Sequence, residues 1–119
     1  MFEISCQIER FAVAGEFRIA RGAVSSVAVV VATLRQGDAV GRGECRPYAR
    51  YGESPEGVVA AIEAVAPVLA RDGHAALAAA MPAGAARNAL DCAFLDLAAK
   101  RAGTPVHRLL GRATPGPVT

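Results

Sequence analysis

Residues 2 to 9 alternate strictly, with Phe2, Ile4, Cys6 and Ile8 on one side and Glu3, Ser5, Gln7 and Glu9 on the other. Period two with one polar face predicts a half-buried antiparallel strand. A loop, "VAGEFRIARGA", is expected next, with Gly15 and Gly22 near its edges. Val24 to Gln36 is rich in β-branched residues on both faces, the composition of a middle strand. Gln36-Gly37-Asp38 supplies a tight turn, and Ala39 to Arg46 returns as a third strand.

The period then changes. Ser54, Pro55 and Glu56 form an N-cap, a first-turn proline and a first-turn acid. The helix they start carries Val58, Ile62 and Val65 on one stripe, and Pro67 is expected to end or kink it. A short helical piece spans roughly His74 to Met81. The strongest helix runs from about Ala85 to Arg101, with Ala86, Leu90, Ala93, Phe94, Leu97 and Ala98 as its apolar face, and Gly103 closes it. Thr104 and Pro105 open a last short helix that ends at Gly111. Strands first and helices after predict an α+β domain: a three-stranded antiparallel meander followed by a bundle of three to four helices.

Composition narrows the classes. With 119 residues there is room for one domain, and 53% hydrophobic against 20% charged residues describes a folded globular chain. A net charge of +2, with arginines scattered among acids, leaves no basic face for nucleic acid. Cys6, Cys45 and Cys92 are odd in number and show no Cys-x-x-Cys spacing, so neither a disulfide framework nor a structural zinc is expected, and a reducing, cytoplasmic setting follows. The longest apolar run, Val27 to Leu34, is far short of the roughly 20 residues that span a bilayer.

Few residues suggest chemistry by themselves. Lys100, the sole lysine, follows Asp96 by four positions, the order that favours a helix ion pair. Arg87 and Asp91 share that spacing in the weaker order. His74 and His107 lie near helix starts without a ligand or orienting acid at a recognisable spacing, so capping or surface roles are expected. Glu44 and Glu53 flank "CRPYARYG" and read as a strand end and the residue before an N-cap. Arg21 stands out, in a loop with Phe17 and Ile19. Either this is an ordinary solvated arginine, or the apolar pair excludes water over a pocket while the guanidinium holds a carboxylate.

The stretches "AGEFRIARGAVSSVAVVVATL", "GRGECRPYARYGESPEGVVAAIEAV" and "PAGAARNALDCAFLDLAAKRAGTPVHRLLG" together resemble the N-terminal capping domain of the enolase superfamily. They are most similar to the dipeptide epimerases that act on L-Ala-D/L-Glu. The resemblance covers nearly the whole chain in the right order, and "PYARYGES" and "PAGAARNALDCA" are its most specific pieces.

That resemblance implies a cap whose loops close over the mouth of a following (β/α) barrel. In the family the barrel carries the chemistry: it binds Mg²⁺, which stabilises an enediolate, while two lysines exchange the α-proton of the dipeptide. Position by position, Arg21 matches the loop arginine that binds a substrate carboxylate, and Phe17 and Ile19 match the apolar part of that lid. Arg46 to Gly52, with Tyr51 foremost, matches the second lid segment. Arg87, Asp91 and Asp96 fall on a packing helix and read as structural.

No barrel is expected in this chain, and one lysine cannot make a two-lysine proton relay. The expectation is therefore a capping domain over residues 1–111, with 112–119 starting a linker to a barrel. Alone it has no catalytic or metal-binding residue and is expected to be inactive. Its implied partners are a dipeptide, the barrel of the same protein and, in a homo-oligomer, further copies. Two alternatives remain: a free-standing, self-associating module, or the cap of a sister enzyme (muconate cycloisomerase, N-acylamino-acid racemase or o-succinylbenzoate synthase).

Overall fold

The computed structural model describes residues 2–19, 22–113 and 116, with side chains except at positions 14–19 and 22–25. Three strands form one antiparallel sheet in the order β1 (Glu3–Ile19), β2 (Gly22–Gln36), β3 (Ala39–Cys45). Four helices follow: α1 (Pro55–Asp72), α2 (Leu77–Ala80), α3 (Ala85–Ala102) and α4 (Val106–Leu109). This is the predicted α+β meander with helices. At 119 residues the chain is also too short for a (β/α)₈ barrel, which takes about 250.

The alternation at the N-terminus puts Ile4, Cys6 and Ile8 against the core, beside the fully buried Val30, Ala32 and Leu34 of β2. The β2–β3 connection is a two-residue turn between Gln36 and Ala39, with Gly37 at φ 61° in the position a type II′ hairpin reserves for glycine. Ser54 caps α1 by accepting the Gly57 N–H at 3.0 Å.

α3 lies directly on β3, and two glycines permit it. A Cβ at Gly41 would fall 2.4 Å from the Ala93 carbonyl oxygen, and one at Gly43 only 1.9 Å from that of Ala89. The polar side chains of α3 then complete the contact. Asp96 accepts the Arg42 N–H at 2.9 Å and pairs with Lys100 at 2.9 Å, the ion pair their spacing predicts. Lys100 also donates to the Val40 carbonyl at 3.1 Å. Burial alone would push the Asp96 carboxyl up, but the Arg42 N–H and the Lys100 ammonium outweigh it and hold it below the usual carboxylate range.

Three expectations need correction. The loop expected over Val13–Ala23 is strand on both sides, with Phe17 paired to Val24 and Ile19 to Gly22. Phe17 and Ile19 continue a period-two pattern, and a register shift between Ala12 and Phe17 absorbs the extra residues around Gly15. Pro67 does not end α1, which continues to Asp72. The proline removes one intrahelical bond, while Leu69 beyond it is fully buried and keeps the last turn on the core. Ala98 is exposed, while its neighbour Ala99, on another side of the helix, is buried. At 100° per residue Ala98 turns about 80° from Leu90, to the margin of the apolar face.

Candidate functional site

β3 ends at Cys45, and the chain then builds a compact loop before α1. Within Arg46–Gly52 lies one 3₁₀ turn, Ala49–Tyr51, held by Tyr51 N–H to Tyr48 O and Gly52 N–H to Ala49 O, both 3.0 Å. The turn lifts its aromatic side chains outward. Tyr51 is 76% exposed and Tyr48 41%, with ring centroids 5.6 Å apart.

Glu53 fixes this loop. One carboxylate oxygen accepts the Tyr48 N–H at 3.0 Å, and the other accepts the Ala85 N–H at 2.8 Å. Gly84, the N-cap of α3, has no side chain to offer, so Glu53 serves as that helix's cap from 32 residues away. An anion there also suits the positive end of the helix dipole. Cys45, Arg46, Tyr48, Tyr51, Glu53 and Asn88 line a groove of about 420 Å³ between loop and helix.

Topology brings the first expected lid segment, on the β1–β2 hairpin, to the same end of the sheet as this loop. Cys45 pairs with Val30, and the β1–β2 hairpin runs on past that pair to Ile19 and Gly22. The overhang is roughly 25 Å at about 3.3 Å per residue. Arg21 lies outside the described residues, as do the side chains of Phe17 and Ile19. Of the expected linker 112–119, only Arg112, Ala113 and Gly116 are described.

The remaining candidates fall elsewhere. His74 approaches Asp91 at 2.6 Å and stacks on Phe94 at 4.9 Å between centroids, so Asp91 pairs across 17 residues with a histidine. The expected Arg87–Asp91 pair gives way to this contact. Lys100 is held by Asp96 and by the Val40 carbonyl of β3. Among the described residues no three of His, Cys, Asp and Glu come together as a metal site. Among them, too, no helix is long and apolar enough to cross a membrane.

The thiols differ in a testable way. Burial pushes the Cys45 thiol up to about 11 from an ordinary 9.0, and Cys92 is exposed. At pH 8, Cys92 is expected to react with a maleimide at least about tenfold faster than Cys45, read by mass spectrometry of the labelled peptides. Because the folded value is raised, the neutral thiol's contribution to stability is full below about 9 and is lost as pH rises through about 11.

Residues 2–111 match the family profile "Mandelate racemase / muconate lactonizing enzyme, N-terminal domain". The chain is 48% identical over 100 residues to the L-Ala-D/L-Glu epimerase of Escherichia coli (strain K12), covering 83% of this chain and 31% of that protein. Its fold superposes with a TM-score of 0.88 on an enolase family member from Agrobacterium tumefaciens with homology to dipeptide epimerases, solved with sodium and L-Ala-L-Glu. That likeness, at 47% identity, covers 95% of this chain and 35% of the other. A dipeptide epimerase from Methylococcus capsulatus, complexed with Mg and L-Arg-D-Lys, superposes at 0.76 with 31% identity, over 94% of this chain and 35% of its own. The chain thus spans about a third of the length of each of these relatives. It belongs to the mandelate racemase/muconate lactonizing enzyme N-terminal-domain family, within the enolase superfamily, and the relatives named above are dipeptide epimerases or homologous to them.

Proposed function

We propose that this chain is the substrate-capping domain of a Mg²⁺-dependent dipeptide epimerase of the L-Ala-D/L-Glu type, and that by itself it is not catalytic. The observation that carries the reading is the 48% identity to an L-Ala-D/L-Glu epimerase across most of the chain. The placement of hairpin end and tyrosine loop at one end of the sheet supports it, because a cap must present both segments toward one mouth.

Residues 1–111 form the cap in this reading, and 112–119 begin the connection to a barrel. The barrel supplies the metal and the groups that move the α-proton. The cap supplies recognition and closure: the Arg21 guanidinium takes a substrate carboxylate with two parallel N–H donors. Phe17 and Ile19 exclude water around it, which strengthens that contact in a lower dielectric. Tyr51 closes from the second segment. The three free cysteines suit a cytoplasmic protein.

The intact protein with Mg²⁺ is expected to epimerise L-Ala-L-Glu to L-Ala-D-Glu, followed by polarimetry or chiral chromatography. Activity on an N-acylamino acid or muconate with none on dipeptides would replace the epimerase by one of its sister enzymes. A native protein that ends with this domain and forms stable oligomers would favour an interaction module.

A further inference from the structure

Glu53 lies at the junction of three elements: the Tyr48–Gly52 loop, the start of α1 and the start of α3. Its two oxygens are spent on two main-chain donors far apart in sequence, Tyr48 in the loop and Ala85 at the start of α3. The Glu53 N–H returns to the Tyr48 carbonyl at 3.2 Å, so Tyr48 is gripped through both its backbone groups. α3 in turn is seated on β3 by Gly41, Gly43 and Asp96. The carboxylate therefore ties the loop to the most firmly docked helix of the domain. Among the described residues no other side chain bonds that loop's backbone.

We infer that Glu53 is a positioning residue for substrate closure, setting the height of the Tyr48–Tyr51 turn above α3 and so where Tyr51 meets the bound dipeptide. The inference rests on the epimerase reading given above. Glu53 touches no substrate in this account and acts through the turn it holds. Its length is matched to the task. Aspartate is one methylene shorter, about 1.5 Å, and cannot bridge both donors. Glutamine keeps the length but has one acceptor oxygen, so it satisfies one N–H and faces the other with an amide donor.

The test uses the intact protein with Mg²⁺ and L-Ala-L-Glu. Glu53→Ala is expected to raise KM about tenfold while kcat changes by less than about threefold, since charge-assisted bonds to a binding loop are lost and the proton-transfer groups are untouched. Glu53→Gln, which preserves size and is the safeguard should the alanine variant fold poorly, is expected to lie between wild type and alanine. Glu53→Asp is expected to resemble alanine. In hydrogen exchange, the Tyr48 and Ala85 amides lose protection together, while those of the β1–β2 ladder keep theirs. An active wild type with unmoved KM in Glu53→Ala and Glu53→Gln overturns the positioning role, whatever happens to the melting temperature. Unchanged protection at Tyr48 overturns it as well. A wild type that turns over no dipeptide overturns the epimerase reading first, and the substrate role of Glu53 with it.

Discussion

Gly43→Ala is expected to lower the thermal midpoint of the intact protein's cap by about 10 °C or more. The new Cβ would sit 1.9 Å from the Ala89 carbonyl oxygen and 2.6 Å from the Ala93 nitrogen. Both are main-chain atoms of α3, so no side-chain rotamer can yield. The helix must lift from β3, which opens the packing of Ala89, Ala93 and Leu97 and stretches the Asp96 bond to Arg42. Overpacking of this kind costs about 3 kcal/mol, and each kcal/mol moves the midpoint of a domain this size by roughly 4 °C. Shaving the facing residue does not help: Gly43→Ala with Ala89→Gly is expected to remain as unstable as the single variant, because the clashing oxygen is unchanged. Calorimetry decides it, and a midpoint within about 2 °C of wild type would mean that α3 does not rest on the β3 backbone.

Arg21→Met, assayed in the intact protein, is expected to reduce kcat/KM for L-Ala-L-Glu by about 100-fold. Methionine fills a similar volume without a charge, so the loss isolates the guanidinium. Two charge-assisted bonds in a water-poor mouth account for about 3 kcal/mol, which is about a hundredfold in rate constant. Arg21→Lys restores the charge without the planar fork and is expected to recover only part. The substrate series then tells which carboxylate is held. A loss confined to L-Ala-L-Glu, with L-Ala-L-Leu unaffected, assigns the glutamate side chain; an equal loss on both assigns the C-terminal carboxylate. No change on either removes Arg21 from the binding site.

Where a pattern rests on neighbours in sequence, the chain is readable. Alternation from Phe2 to Glu9, the Ser54-Pro55-Glu56 start of α1 and the Gly103 stop of α3 all appear as expected, because caps and periods are local physics. The Asp96–Lys100 pair, one helical turn apart, was legible for the same reason. The β1–β2 hairpin was legible only in part: glycines at 15 and 22 mark a loop locally, while the pairing of Phe17 with Val24 outweighs them. Pro67 likewise signals a stop that the burial of Leu69 overrides.

The site was harder. Glu53 and Ala85 meet across 32 positions and His74 and Asp91 across 17, separations for which no spacing rule exists. One signal was present. α3 begins at Ala85 behind Gly84, with no Ser, Thr, Asp or Asn to cap it, so a distant acceptor had to be found. Arg21 with Phe17 and Ile19 stood out by residue type, but with an ordinary solvated arginine left open; the lid role proposed for them, and the choice of Tyr51, came only from family resemblance, since contact with a ligand leaves no mark in periodicity. Gly41 and Gly43 read as strand residues of no consequence until α3 is seen lying against them.

In the proposed function this domain binds and closes, while a barrel in the intact protein would move the proton. The most direct test incubates L-Ala-L-Glu in D₂O with Mg²⁺ and follows the glutamate α-proton by NMR, once with the intact protein and once with residues 1–119 alone. Loss of the α-proton signal with the intact protein, and none above the buffer blank with the 119-residue chain, is the predicted result. Deuterium incorporated at the α-carbon by the 119-residue chain alone would contradict it.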